Sequence, residues 1–306
     1  MEDLYRQQLW RAWRSTSVWL TDIPVAKAQL QGRMSDGDAF DGGRTAAWLA
    51  GLKEGAQWRA VRDARTGHTI HVVSDRGHQE LTADLTLGLR ILNWLSKRPV
   101  VWYWWDQPWV RELPANMEPG RDHVNGGWAI PGVLEVNVYR REEAHKVMIH
   151  ESIHALELDV PHAEIEPVRQ SLETEFGRRL WPHLGEAFTE LYAEWLWTIP
   201  RASSLHEVRD LWTAQMRCSE TQAALVWGRI RDSVTDEDTN VFAYYVLKWV
   251  LMRWHLGDVL VNPDRTVRFW ADWWRAAKET LNTVAVAHTE QQPILMGMTC
   301  SSSGSI

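Results

Sequence analysis

The run Val147-Met148-Ile149-His150-Glu151-Ser152-Ile153-His154-Ala155-Leu156 constrains the fold of this chain more than any other segment. Its apolar residues predict a buried helix, yet two histidines and a glutamate lie inside it. Four residues span a little over one helical turn, so the His150 and His154 imidazoles emerge on one face and can grip one metal ion. Glu151 projects beside them, placed to take a proton from a metal-bound water. Two imidazoles do not complete such a site, so the pattern demands a third protein ligand.

Spacing tests the candidates. The compact extended form of the motif needs glycine at 157 and His or Asp at 160, and those positions hold Glu157 and Val160. Asp159 lies five residues beyond His154, where a continuing helix turns it away from the metal. His162 follows Pro161 and reads as a loop residue. Downstream, Leu184-Gly185-Glu186-Ala187-Phe188-Thr189-Glu190-Leu191-Tyr192-Ala193-Glu194 carries two carboxylates one turn apart. Glu186 is far enough from His154 for the first helix to end and a second to return, so it is the expected third ligand. Glu190 would accept the free N–H of a ligating imidazole, which fixes the tautomer and raises ligand basicity. Glu194 continues that face and is expected to be exposed.

Composition narrows the class. A net charge of -7 with scattered Lys and Arg argues against a nucleic-acid surface. The 21 tryptophans against 5 phenylalanines mean that Trp does much of the aromatic core work. Cys218 and Cys300 are the only cysteines, a count that predicts no disulfide framework and suits a reducing compartment. The start Met1-Glu2-Asp3-Leu4-Tyr5-Arg6 has no signal-peptide character, and no apolar stretch is long enough to span a bilayer. These features predict an intracellular, cytoplasmic protein with no membrane partner.

The pattern along the chain is that of an α+β protein. An opening helix is expected within residues 1–20 and an acidic Gly/Asp loop over 32–43. A β-hairpin is expected from Gln57–Asp63 and His68–Ser74, a helix over 80–97, and strands at Val100–Asp106 and Gly132–Tyr139. The metal-motif helix should start near Arg141. Its approach, Arg140-Arg141-Glu142-Glu143, reads as a solvated helix start, and His145 as a surface histidine turned from the metal face. The strand at 132–139 could offer an open edge to an extended peptide. Helices are expected at 183–198, 203–232, 239–257 and 265–282. This organisation predicts an N-terminal mixed-sheet lobe at 1–176 with the motif helix, a mainly helical lobe at 177–290, and a loose tail at 291–306.

The two motifs together, H-E-x-x-H and a distant Gly-Glu-Ala-Phe-x-Glu, resemble the gluzincin division of zinc metallopeptidases. The resemblance implies a zincin-like fold with zinc held by His150, His154 and Glu186, Glu151 as general base and Glu190 as supporting carboxylate. More narrowly, His123-Val124-Asn125-Gly126-Gly127, the run Val136 to Glu143, Lys146-Val147-Met148-Ile149 and Asn240 to Lys248 resemble predicted metallopeptidases of large DNA viruses and protists. That likeness covers about residues 80–255, implies substrate contacts at Asn125 and Gly127, and extends the expected location to a virion. Gly126 departs from it, because serine is expected there.

The expected activity is zinc-dependent hydrolysis of a protein or peptide, with a metal-bound water activated by Glu151. The carbonyl oxygen gains charge in the transition state, and Tyr244 or Tyr245 would stabilise it, with His255 and His145 behind them. Adjacent helical residues point about 100° apart, so only one tyrosine should face the site. The rival from another class is a non-catalytic, zinc-stabilised structural or interaction protein. A retained Glu151 favours the enzyme, since a structural metal does not need that carboxylate.

Overall fold

The computed structural model describes residues 2–25, 27–52, 55–113, 121–160, 166, 170, 183–230, 240–259, 280 and 294–295. The chain divides into two compact units. One comprises Gln7–Glu112 and Gly120–Leu158; the other comprises Met1–Arg6, Leu113–Pro119 and Asp159–Ile306.

The first unit is built on a mixed six-stranded sheet. Its strands are β1 (Leu20–Asp22), β2 (Gln57–Asp63), β3 (Thr69–Ser74), β4 (Val101–Gln107), β6 (Gly127–Ala129) and β7 (Glu135–Arg140). A two-residue strand, β5 (Glu112–Leu113), lies outside it. The order across the sheet is β1-β2-β3-β4-β7-β6. The expected hairpin is present as antiparallel β2–β3, closed by Gly67 at φ 79°. Helix α4 (His78–Leu95) then carries the chain to β4, which is parallel to β3, and β7 is parallel to β4.

Parallel strands of this kind are covered on both faces, and β4 shows how. Its side chains alternate. Trp102 and Trp104 stack on each other and meet His145, while Gly88 of α4 lies against Trp102 and Ile70. Tyr103 and Trp105 point the other way, into a cluster with Leu30, Val73, Trp128 and Tyr139 that is flanked by Trp48 and Leu49. Three of the tryptophans thus lie on β4 alone, Trp102 paired with Trp104 on one side of the alternation and Trp105 with Tyr103 on the other. Gly88 is required by contact, because a Cβ there would sit 2.5 Å from the Trp102 ring.

Several expectations are corrected here. The acidic stretch 32–43 falls mostly within a helix, α2 (Lys27–Asp41), followed by α3 (Arg44–Ala50). Leu30 is fully buried and anchors α2, and the glycines act only at its end, where Gly42 and Gly43 take φ 65° and 79°. The Asp41 carboxylate closes the helix end by accepting the Gly43 and Thr45 N–H groups. The strand near 132–139 is not an edge: β7 is paired on both sides, and the edge is β6. The opening helix α1 (Glu2–Ser15) lies within the expected stretch and leads into β1, a strand too brief to show a period.

Within the second unit, α7 (His183–Arg201) and α8 (Leu205–Ile230) are helices close to the expected spans. The third expected helix is composite, a π-helical segment at Phe242–Leu247 running into α9 (Lys248–Val259). The expected helix at 265–282, apart from residue 280, and the tail at 291–306, apart from 294–295, lie outside the described residues. Cys218 is disulfide-bonded, which corrects the expectation of reduced thiols. Separation along the sequence is no measure of Cα–Cα distance in space, which is what a disulfide requires. Cys300 lies outside the described residues. Among the described residues, no helix is long and apolar enough to cross a membrane.

Candidate metal centre

The motif helix is α6 (Ala144–Ala155), and both of its ends are built by specific contacts. Glu143, just before it, has the left-handed conformation, φ 57°, that a side chain rarely adopts. Its carboxylate pairs with Arg111 Nη1 at 2.8 Å, and the Arg111 N–H donates to Glu142 Oε2 at 2.5 Å. Burial and the Glu143 charge push the Glu142 carboxyl above its ordinary range, and the Arg111 charge opposes them. Arg140 is buried too, and donates to the Asn125 and Val110 carbonyls at 2.8 Å each. The expected solvated start is therefore a half-buried ion network. Arg111, which supplies its cation, has no local sequence signal because it lies on a distant loop.

The same arginine accounts for Gly126. A Cβ at that position would lie 2.4 Å from Arg111 Nη2 and 3.0 Å from Val147, so the guanidinium occupies the room that a serine would need. The loop is further pinned by the Tyr139 N–H donating to the Gly126 carbonyl at 2.9 Å.

α6 ends one residue after His154. The Leu158 N–H bonds the Ile153 carbonyl at 2.9 Å and the Glu157 N–H bonds the His154 carbonyl at 3.0 Å, which is the pairing of a Schellman stop. Glu157 takes φ 56° where glycine is usual. The helix therefore offers one turn carrying both histidines and then breaks. Asp159, expected to turn away from the metal, accepts a hydrogen bond from the Thr189 hydroxyl at 2.6 Å.

His150 and His154 face each other as the spacing requires, their Nε2 atoms 3.1 Å apart. One potential ligand atom from each of His150, His154 and Glu186 lies within 4.8 Å of the others, so these three residues could hold a metal ion. The donor set fits zinc, for two imidazoles and one carboxylate are a common three-ligand complement that leaves a position open. Glu151 is buried, with its Cγ 3.1 Å from where a Cβ on Gly127 would be. Gly127 opens the edge strand β6, so the absence of a side chain there lets β6 lie against the carboxylate-bearing turn of α6. Asn125, directly after the short helix α5 (Arg121–Val124), lends its carbonyl to Arg140, and its N–H bonds the Arg121 carbonyl.

On α7, Glu186, Glu190 and Glu194 recur at every fourth residue, and the π-helical segment faces them with the same period. The Tyr244 hydroxyl is 3.4 Å from Glu186 Oε2 and takes a hydrogen bond from Asn240 Nδ2 at 3.3 Å. Lys248, fully buried, bonds Glu194 at 2.8 Å and lies 3.8 Å from Glu190. The expectation that Glu194 is exposed is corrected: its solvent face is taken by Lys248. Tyr245 is fully buried, with the centre of its ring 5.8 Å from the Lys248 ammonium. Lys248 was legible only as the i+4 companion of Tyr244. π-Helical turns add a residue per turn and recur at functional sites.

His145 is not on the surface. It packs edge-on against Trp102 and Trp104, Nε2 lies 2.9 Å from the Asp84 carbonyl, and burial lowers its pKa. The indole stack attracts it because β4 presents Trp at alternate positions, which the sequence of α6 alone does not reveal. His162 lies outside the described residues, as does the side chain of His255.

Comparison with protein-family models, with curated proteins and with solved structures finds no match for this chain.

Proposed function

We propose that the chain is a zinc-dependent peptide hydrolase of gluzincin type on a zincin-like fold, with His150, His154 and Glu186 as ligands. The observation that carries this reading is the grouping of those three donors around one point, with Glu151 on the same helical turn as His150. A zinc ion held there supplies Lewis acidity and makes water acidic enough to ionise near neutral pH. Glu151 receives the proton of the attacking water and returns it to the leaving amine. Its burial beneath β6 limits its rotamers, so the proton acceptor is held in place. The Tyr244 hydroxyl, already oriented by Asn240, is the donor for charge on the substrate carbonyl oxygen. Glu190 is the supporting carboxylate, with Lys248 holding its charge. The substrate is a protein or peptide whose extended main chain pairs along β6 next to Gly127 and Asn125.

Metal analysis with a peptide-library digest tests the reading, with Glu151→Gln as the control. The expected result is one zinc per chain in both proteins and a loss of turnover of roughly 10²-fold to 10⁴-fold in the variant. His150→Ala, His154→Ala and Glu186→Ala should each lose the metal. Stoichiometric zinc with no cleavage above that of Glu151→Gln would replace the enzyme with a structural metal protein.

A further inference from the structure

A second polar cleft lies in the sheet-bearing unit, far in sequence from the metal motif. It has a volume of about 460 Å³ and is walled by Ser15 at the end of α1 and Ser17 beyond it, by Arg65 and Thr66 in the β2–β3 turn, and by Trp94 and Lys97 around the end of α4. Three separate segments are stitched together around it. Asn93 Nδ2 and Arg65 Nη2 both donate to the Ser17 carbonyl, at 3.0 and 2.9 Å, and Arg65 Nη2 also reaches the Ser17 hydroxyl at 2.8 Å. The Thr66 hydroxyl lies 2.6 Å from Asn93 Oδ1.

The charge around this cleft is unbalanced. The Arg65 guanidinium is bonded only to neutral oxygens and stacked over Trp19, and Lys97 makes no ion pair among the described residues. Behind them, Arg90 caps the α1 carbonyls of Trp13 and Thr16 and lies 3.9 Å from the centre of the Trp13 ring. Burial first, and then the charge of Arg14, lowers the Arg90 pKa. The one carboxylate at the base, Asp63, is already spent. Burial would raise its pKa, but N–H groups of Trp19, Thr66 and Arg65 and the Asn93 amide hold it down at about 2. In a chain of net charge -7, this is a local reversal of sign.

Arg14 and Arg90 are accounted for by the negative end of the α1 dipole. Arg65 and Lys97 are not held by any acid, and both border the open volume. The hydroxyls sort in the same way. Ser15 and Thr16 donate back to the Ala12 carbonyl, while Ser17 accepts from Arg65 and keeps its own proton to give. Both Nη2 protons of Arg65 go to Ser17, so the donors left for a ligand are the Arg65 Nη1 group, the Lys97 ammonium and the Ser17 hydroxyl.

We propose that this cleft is a binding site for phosphate, either free or as the monoester of a small molecule, held by Arg65, Lys97 and Ser17. Two cations match the two charges of a phosphate dianion, and the Arg65 Nη1 group and the Lys97 ammonium each give a charge-assisted bond to one of its oxygens. The hydroxyl serves a third oxygen. A carboxylate offers one charge and two oxygens and would leave both the excess cation and the Ser17 proton unused.

Calorimetry on the full chain, in chloride buffer of low ionic strength, tests this with inorganic phosphate and with adenosine monophosphate as the two probes. Saturable binding of either probe is expected, weakened tenfold or more in Arg65→Ala/Lys97→Ala. Tighter binding of the monophosphate assigns the site to an ester, and equal binding assigns it to free phosphate. Lys97→Glu is the second variant; Lys97 has no bond to lose, so its fold should be retained while affinity falls. Arg98→Ala, a neighbouring cation outside the cleft, should bind as the wild type does. Absence of saturable binding up to roughly 10 mM, or equal affinity in Lys97→Glu, overturns the proposal.

Discussion

Glu151 and Gly127 are one design at the scale of the residue. Glutamate is an unfavourable core residue, and here it is buried on a helix against a strand that has given up its side chain to admit it. An alanine methyl at 127 would meet the Asn137 carbonyl at 2.5 Å, Val147 at 2.9 Å and Glu151 at 3.1 Å. The backbone oxygen cannot give way cheaply, so β6 must move outward and Glu151 must re-seat. Misplacement of a catalytic group by about 1 Å can lower turnover on the order of 10²-fold. On the proposed function, Gly127→Ala is therefore expected to bind zinc as the wild type does, because no ligand is touched, and to lose most of the kcat. A variant with wild-type kcat would show that Glu151 and β6 are not coupled. The motif itself was legible from spacing alone, since a helix leaves no freedom in where residues four apart must point. The glycine's role was not, because its contacts come from β7 and α6, elements that spacing cannot place against it.

At the scale of the element, α6 and the α7 pair differ in how they hold charge. α6 stops through a left-handed Glu157, a conformation that glycine adopts without strain. Glu157→Gly should raise stability by up to about 1 kcal/mol, read as a higher urea midpoint with an unchanged slope. An equal or lower midpoint would mean that the Glu157 side chain contributes more than its backbone loses. α7 instead buries Glu190 and Glu194 against Lys248 on α9. Removing one partner of a buried pair leaves an uncompensated charge, so Lys248→Met is expected to lose about 3–5 kcal/mol. Lys248→Met/Glu194→Met should recover part of that loss, since an apolar pair of similar volume replaces the ions. A single variant as stable as the wild type would remove the buried pair from the account. The four-residue period of the glutamates was visible in the sequence, but their environment was not. Acidic residues on one helix face read as solvated until the opposing helix supplies a lysine at the same period.

For the whole molecule, the α+β class and the order of strands and helices around the motif follow from periodicity, because β4 and α4 alternate as their geometry demands. What periodicity could not supply was sheet order. β7 reads like an edge strand and is interior, and only the return of β6 beside it makes the difference. Misjudged burial has a thermodynamic consequence that can be measured. His68, His71 and His145 are all buried in the sheet-bearing unit, and burial lowers the pKa of each below 6.5. The folded chain therefore binds fewer protons than the unfolded chain just below that value. The stability from keeping these rings neutral is fully present above pH 6.5 and is lost as pH falls through the depressed values. Each ring contributes a slope of at most about 1.4 kcal/mol per pH unit. Asp106 and Glu142, whose pKa values burial raises, act in the opposite sense at more acidic pH, so the window to examine lies just below 6.5. Urea midpoints should fall between about pH 7.5 and about pH 5.5. His71 offers the cleanest control, because its ring stacks on Tyr103 and its Nδ1 has no hydrogen-bond partner among the described residues. His71→Phe keeps the stack and removes one titrating ring, so its midpoints should decline less steeply than those of the wild type. Parallel declines would mean that His71 is charged in the fold, and a flat wild-type profile would mean that all three rings are.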